Sequence, residues 1–242
     1  MTQGTAPGLP GSGFLITRIA EHRAKTLGAG SVAGMVFGVL FAVCIVLVRA
    51  TVGDPGDAGQ WLSDGTAEVS WALGLLPFAG IFFLWFIGAC RQRLGLWEDR
   101  FIASLILGSG LLFLAMVFAA GALSGALLAV YAQDPLGFPG SHTYWLVEAA
   151  VARIFGVYAL RMAAVFLICQ ATAWLRHGLM PKWLALVTYL VALVLLIVVA
   201  QAAWAALIFP VWVFVISAYL LGASRREPER AAELAAGGVP QA

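Results

Sequence analysis

Six stretches of this chain run for about 20 residues with almost no charge, the length a helix needs to cross a hydrocarbon core of about 30 Å. They fall at 29–48, 70–90, 101–123 with a helical continuation to 131, 146–175, 183–200 and 204–222. Lipid offers no partner for a free amide or carbonyl, so each run must satisfy its backbone internally, as a helix does. The division of the last two is the one made by length. Residues 183–222 contain no charge and only Pro210 as a breaker, yet a single helix of that length would reach about 60 Å, so a tight turn near Gln201 is expected.

Composition agrees with the runs. The 242 residues are 62% hydrophobic and 11% charged, against about 45–50% apolar for a soluble domain. The expected fold class is all-α: a polytopic transmembrane helical bundle of about six spans. A first apolar run preceded by some 28 residues, with Glu21 among them and no small-residue cleavage motif, reads as a retained span and not as a removed signal peptide.

Arginine and lysine set the threading, because cytoplasmic flanks retain them. Arg18, Arg23 and Lys25, then Arg91, Arg93 and Arg100, then Arg176 and Lys182, then Arg225, Arg226 and Arg230 would share one side: eleven of the fourteen basic residues. The opposite loops hold Asp54, Asp57, Asp64, Glu68 and Asp134. Both termini are therefore expected in the cytoplasm. The organisation is a cytoplasmic tail over 1–28, in which 14–27 could form a short interfacial helix, a transmembrane domain over 29–224, and a disordered cytoplasmic tail over 225–242. The outer loop around Trp61, Leu62 and Val69 admits two readings, an amphipathic segment on the membrane surface or a solvated acidic loop.

In lipid, helices approach through small residues. Gly30, Gly34 and Gly38 recur every fourth residue, as do Gly121 and Gly125, and both rows are read as internal packing faces in preference to a dimer seam. Pro77 and Pro210 would free the carbonyls of Leu73 and Ala206 inside their helices.

The fourth span carries the charges. Glu148, Arg153 and Arg161 lie within an otherwise apolar segment. With residue 160 at its middle, Arg161 is at the bilayer centre and Arg153 about 10–12 Å nearer the outside. A central arginine costs from about 3 kcal/mol on insertion scales to more than 10 in simulations of an isolated helix, so Arg161 is expected to face protein or water. Tyr158 lies one turn away. In an uninterrupted α-helix the two arginines are rotated by about 80°, able to border one cavity without stacking. One reading makes them structural, binding freed carbonyls, Ser104, Ser109, Tyr189 or Ser217, with Glu148 as counter-charge to Arg153. The other notes two guanidinium groups against one carboxylate and makes Glu148, Arg153, Tyr158 and Arg161 a ligand site for an anionic lipid or amphiphile.

Other chemistries find little support. A net charge of +2 gives no basic stripe for a phosphate backbone, so no nucleic acid is expected. Cys44, Cys90 and Cys169 have no metal-ligand spacing, and neither metal nor cofactor is expected. Only Glu148, Asp134 and His142 could supply an acid or base to a lipid-modifying enzyme. A transporter would need a polar path, and the inner halves of the spans read as aliphatic and aromatic. The function expected is that of a binding or accessory membrane protein, whose partners are membrane lipids, an anionic amphiphile, a second copy or another membrane protein.

The segments LPFAGIFFLWFIG and RLGLWEDRFIASLILGSGLLFLAM resemble multi-span membrane proteins of actinobacteria of unknown function. The resemblance implies a bacterial plasma membrane protein and carries no catalytic residue across.

Overall fold

The computed structural model describes residues 12–52, 59–94, 100–176, 178, 180–197 and 203–236, and among these every regular element is a helix. In chain order they are α1 (Ser12–Thr51), α2 (Trp61–Asp64), α3 (Thr66–Leu94), α4 (Arg100–Tyr131), α5 (His142–Arg153), a π-helical segment (Ile154–Ala159), α6 (Leu160–Arg176), α7 (Lys182–Ile197), a 3-10 turn (Ala203–Leu207) and α8 (Ile208–Ala236). Five segments are long and apolar enough to cross a membrane: Gly28–Thr51, Thr66–Arg91, Phe101–Tyr131, His142–Arg176 and Trp204–Gly222. The protein is a multi-pass helical membrane bundle. The shorter apolar α7, at 16 residues, rises about 24 Å, and residues 198–202, including the turn expected near Gln201, lie outside the described residues.

α1 is the hub. It packs against α3 and α8, while α4 joins α3 to α6, and α7 lies against α6. The glycine row explains the hub. A Cβ at Gly30 would overlap Ala89, one at Gly34 would overlap Ser217 and Phe86, and one at Gly38 would come within 2.8 Å of the Pro210 carbonyl oxygen. Without side chains at these three positions, α1 approaches both neighbours to backbone distance, which is where van der Waals packing in lipid gains most. Gly121 and Gly125 likewise face Leu73 and Leu76 of α3.

Phenylalanines fill the middle. Phe83 of α3 is fully buried, with ring centroids of Phe37 (α1), Phe113 (α4), Phe166 (α6) and Phe209 (α8) at 4.6, 5.3, 5.5 and 5.9 Å. Most of these pairs are tilted or edge-to-face, the arrangements ring quadrupoles favour.

At one end, called here the cap end, the loop between α1 and α3 folds onto the bundle. Trp61, Leu62 and Val69 are buried with Leu127, Phe138 and Tyr144 in a second, smaller core. Trp61 Nε1 donates to the Tyr144 hydroxyl at 3.1 Å. The loop is thus neither a surface-lying helix nor a solvated acidic loop over its described part, because its three large apolar side chains find a protein pocket. The opposite, basic end carries Arg91, Arg176 and Lys182.

Three expectations change. Helix α1 runs unbroken from Ser12, so no separate interfacial helix precedes the first span. Helix α8 continues to Ala236, where a disordered tail from 225 was expected. Its alanines, glutamates and arginines are strong helix formers, and extending an existing helix needs no new nucleus. Residues 1–11 and 237–242 lie outside the described residues. Pro210 stands third in α8 after a 3-10 turn, and a missing amide in a first turn breaks no interior bond; Pro77 and Pro228 are inside helices.

Candidate functional site on the fourth span

Ser141 starts this span, its hydroxyl accepting from the Tyr144 amide at 3.2 Å as an N-cap. The helix then proceeds as α5 until Ile154, where six residues adopt π geometry before α6 resumes. A π turn bonds i to i+5 and so absorbs one extra residue. The burial pattern records it: the inward positions are Tyr144, Glu148, Val151, Phe155, Ala159, Ala163, Leu167, Ala171 and Trp174, a spacing that gains about one residue over an α-helix of 3.6 per turn.

That extra residue decides where Arg161 points. Eight residues of uninterrupted α-helix separate it from Arg153 by about 80°, but with one residue absorbed the difference falls to about 20°. Continuing the outward row through Arg153 without the π turn would reach Leu160 and Ala164. Both are instead buried, at 1% and 0% exposure, and Arg161 takes the outward position. Arg153, Tyr158 and Arg161 are all exposed, Tyr158 at 57%.

The expected cavity around Arg161 inside the bundle is therefore not what the fold provides. Arg161 lies on the outer surface of the chain, and neither arginine has a hydrogen-bond or ion-pair partner among the described residues. The π turn directs Arg161 outward, and the described part of α7 does not reach its level. The Thr172 and Tyr189 hydroxyls, 2.8 Å apart, join α6 to α7. From that level Arg161 is 11 residues, about 16 Å, towards the cap end, and Ile197 only 8, about 12 Å. The described part of α7 stops short of covering it.

The other expected partners are occupied or turned away. Glu148, half-buried, is about 140° around the helix from Arg153 and is no counter-charge to it. Ser109 donates to its own helix at Leu105, 2.6 Å away, and Tyr189 meets Thr172. Asp134 accepts from the Gly137 amide at 2.9 Å in the turn after α4, and His142 is exposed. Among the described residues no group of three His, Cys, Asp or Glu side chains could hold a metal ion. The structure thus unites Arg153, Tyr158 and Arg161 on one face and leaves Glu148 on another.

Towards the basic end the interior is more polar than the sequence reading allows. Gln170, 2% exposed, donates through Nε2 to Cys90 Sγ at 3.3 Å. Its Oε1, the Trp174 Nε1 and the Ser217 Oγ are buried with no partner among the described residues. Gln170 and Ser217 stand in plain view in their spans; what hides them is that a lone amide or hydroxyl gives no sign of which way it faces.

No known family, no curated protein and no solved structure matches this chain.

Proposed function

We propose that this is a binding or accessory protein of a bacterial plasma membrane, with its cap end outside and both termini in the cytoplasm, and that its fourth span offers an anionic lipid or amphiphile a site in the outer leaflet. The distribution of basic residues supports the orientation, since Arg91, Arg176 and Lys182 lie at the end away from the cap.

The exposure of Arg153 on a face that otherwise meets acyl chains carries the reading. The span His142–Arg176 has residue 159 at its midpoint, so Arg153 is six residues, about 9 Å, towards the cap and about 6 Å below the edge of the core. An arginine at that depth lays its aliphatic stem along apolar surface and lifts its head to the phosphate level. Its planar fork suits a phosphate or carboxylate. Tyr158, one turn deeper, gives the chains of such a molecule an aromatic surface. A lipid-modifying enzyme would need a base beside the guanidinium, and Glu148 is on another face of the helix.

The test is native mass spectrometry of the protein purified from membranes containing phosphatidylglycerol. Wild type should retain the anionic lipid in preference to a zwitterionic one, and Arg153→Ala should retain about fivefold less, the worth of one basic residue near a charged surface. Equal retention by both proteins refutes the site.

A further inference from the structure

We propose that Arg161 marks a docking face for a transmembrane helix of a different protein, one that carries a carboxylate near the middle of the bilayer. The proposal goes beyond the lipid site at Arg153 and turns on depth. Arg161 is two residues, about 3 Å, past the midpoint of its span, which leaves about 12 Å of hydrocarbon to the nearer boundary. An arginine side chain is shorter than that, so a headgroup at its proper level meets Arg153 and not Arg161. An intramembrane charge of this kind pairs with another protein group or faces water. The chain's own helices leave it exposed, since the π turn directs it outward and the described part of α7 ends below it.

A second copy does not serve. Copies related by rotation about the membrane normal keep every residue at its own depth. The acidic residues on the described spans are Glu68 and Glu148, both towards the cap end, and Glu148 is 13 residues, about 20 Å, from the level of Arg161. A two-fold pair could bring Glu148 to Arg153 but leaves Arg161 unanswered. A backbone carbonyl on a partner is already engaged within its helix. The remaining acceptor at mid-depth is an aspartate or glutamate on a partner span, which binds a guanidinium through two parallel hydrogen bonds. Gly156 lies one turn towards the cap, and a Cβ there would meet nothing within 4 Å, so a partner backbone can approach closely. Membrane helices cross at an angle, and a crossing at Gly156 to Arg161 opens a wedge at Arg153 in which a headgroup still fits.

The probe is a leucine–alanine single-span helix with one central aspartate, labelled as an energy-transfer acceptor and reconstituted in vesicles with the donor-labelled full-length protein. Two control helices carry leucine at the centre, or the aspartate ten residues nearer the end that faces the cap. Association with the central-aspartate helix should exceed that with either control by about tenfold, fall to the control level in Arg161→Leu, and persist in Arg153→Ala. Arg161→Asp should lose the aspartate helix and gain one with a central arginine, which shows that the variant is folded and that charge carries the contact. Equal association of all three helices overturns the proposal, as does full association by Arg161→Leu. So does energy transfer between copies of the protein itself that disappears in Arg161→Leu, which would make a second copy the occupant. Anionic lipid lost from Arg161→Leu but kept by Arg153→Ala would show that headgroups reach mid-depth, and overturns it too. Loss of lipid confined to Arg153→Ala leaves the lipid site standing whatever the helices do.

Discussion

Residues in this bundle differ in what surrounds them more than in what they are. Arg153 and Arg161 share a chemistry and a face, yet lie about 12 Å apart along the helix, and in the proposed reading that separation gives the first access to headgroups and the second none. Phe83 shows the same dependence for an apolar side chain. Rings from four other helices surround it, so truncation removes contacts in five elements at once. In lipid the unfolded reference is also apolar, and what is lost is packing, which places Phe83→Ala near the lower end of the usual range for a buried phenylalanine: about 3 kcal/mol, or roughly 6–12 °C in thermal midpoint. Thermal unfolding of the detergent-solubilised protein checks it, with Phe78→Ala as the control, since that ring is 58% exposed. Arginines and phenylalanines alike were visible in the sequence as types. Which phenylalanine becomes the hub was not, because five helices had to be brought together before one ring could touch four others.

The fourth span poses the question at the scale of an element. Its π segment holds one residue more than an α-helix of the same rise, so removing one residue there restores a continuous helix whose inward rows before and after remain aligned. Deletion of Gly156 should therefore leave stability within about 1 kcal/mol of wild type and Arg161 still on the outer face. Deleting Ala164 instead, a residue with 0% exposure, turns Phe166, Gln170 and Trp174 by about 100° off the core and should abolish folding. Yield and thermal midpoint of the two deletions give the comparison. The glycine row of α1 was legible beforehand, because a repeat every four residues is a face whatever the helix packs against. A π turn has no comparable sign: IFGVYA is ordinary apolar sequence, and the turn forms because Tyr144 must meet Trp61 at one end of the helix while Phe166 meets Phe83 at the other.

In the proposed threading α7 counts as a crossing beside the five longer spans, and an even number of crossings leaves the start of α1 and the end of α8 on one side. Single cysteines placed at Ser63 in the cap and at Lys182, the first residue of α7, in a protein whose Cys44, Cys90 and Cys169 are alanine, should label with an impermeant maleimide from opposite faces of intact cells: Ser63→Cys from outside, Lys182→Cys only after lysis. Labelling of both from one side would break the proposed threading. Hydropathy marked, without coordinates, the long apolar helices of a multi-pass bundle and how far apart Arg153 and Arg161 lie along the fourth of them, because distance along a helix is counted at a nearly constant rise per residue. Only the tertiary structure decided direction around the helix axis. One absorbed residue turns a helix face by a quarter of a circle, and whether the exposed face then finds a neighbour depends on how α7 packs against α6, and neither is a property of any local run of sequence.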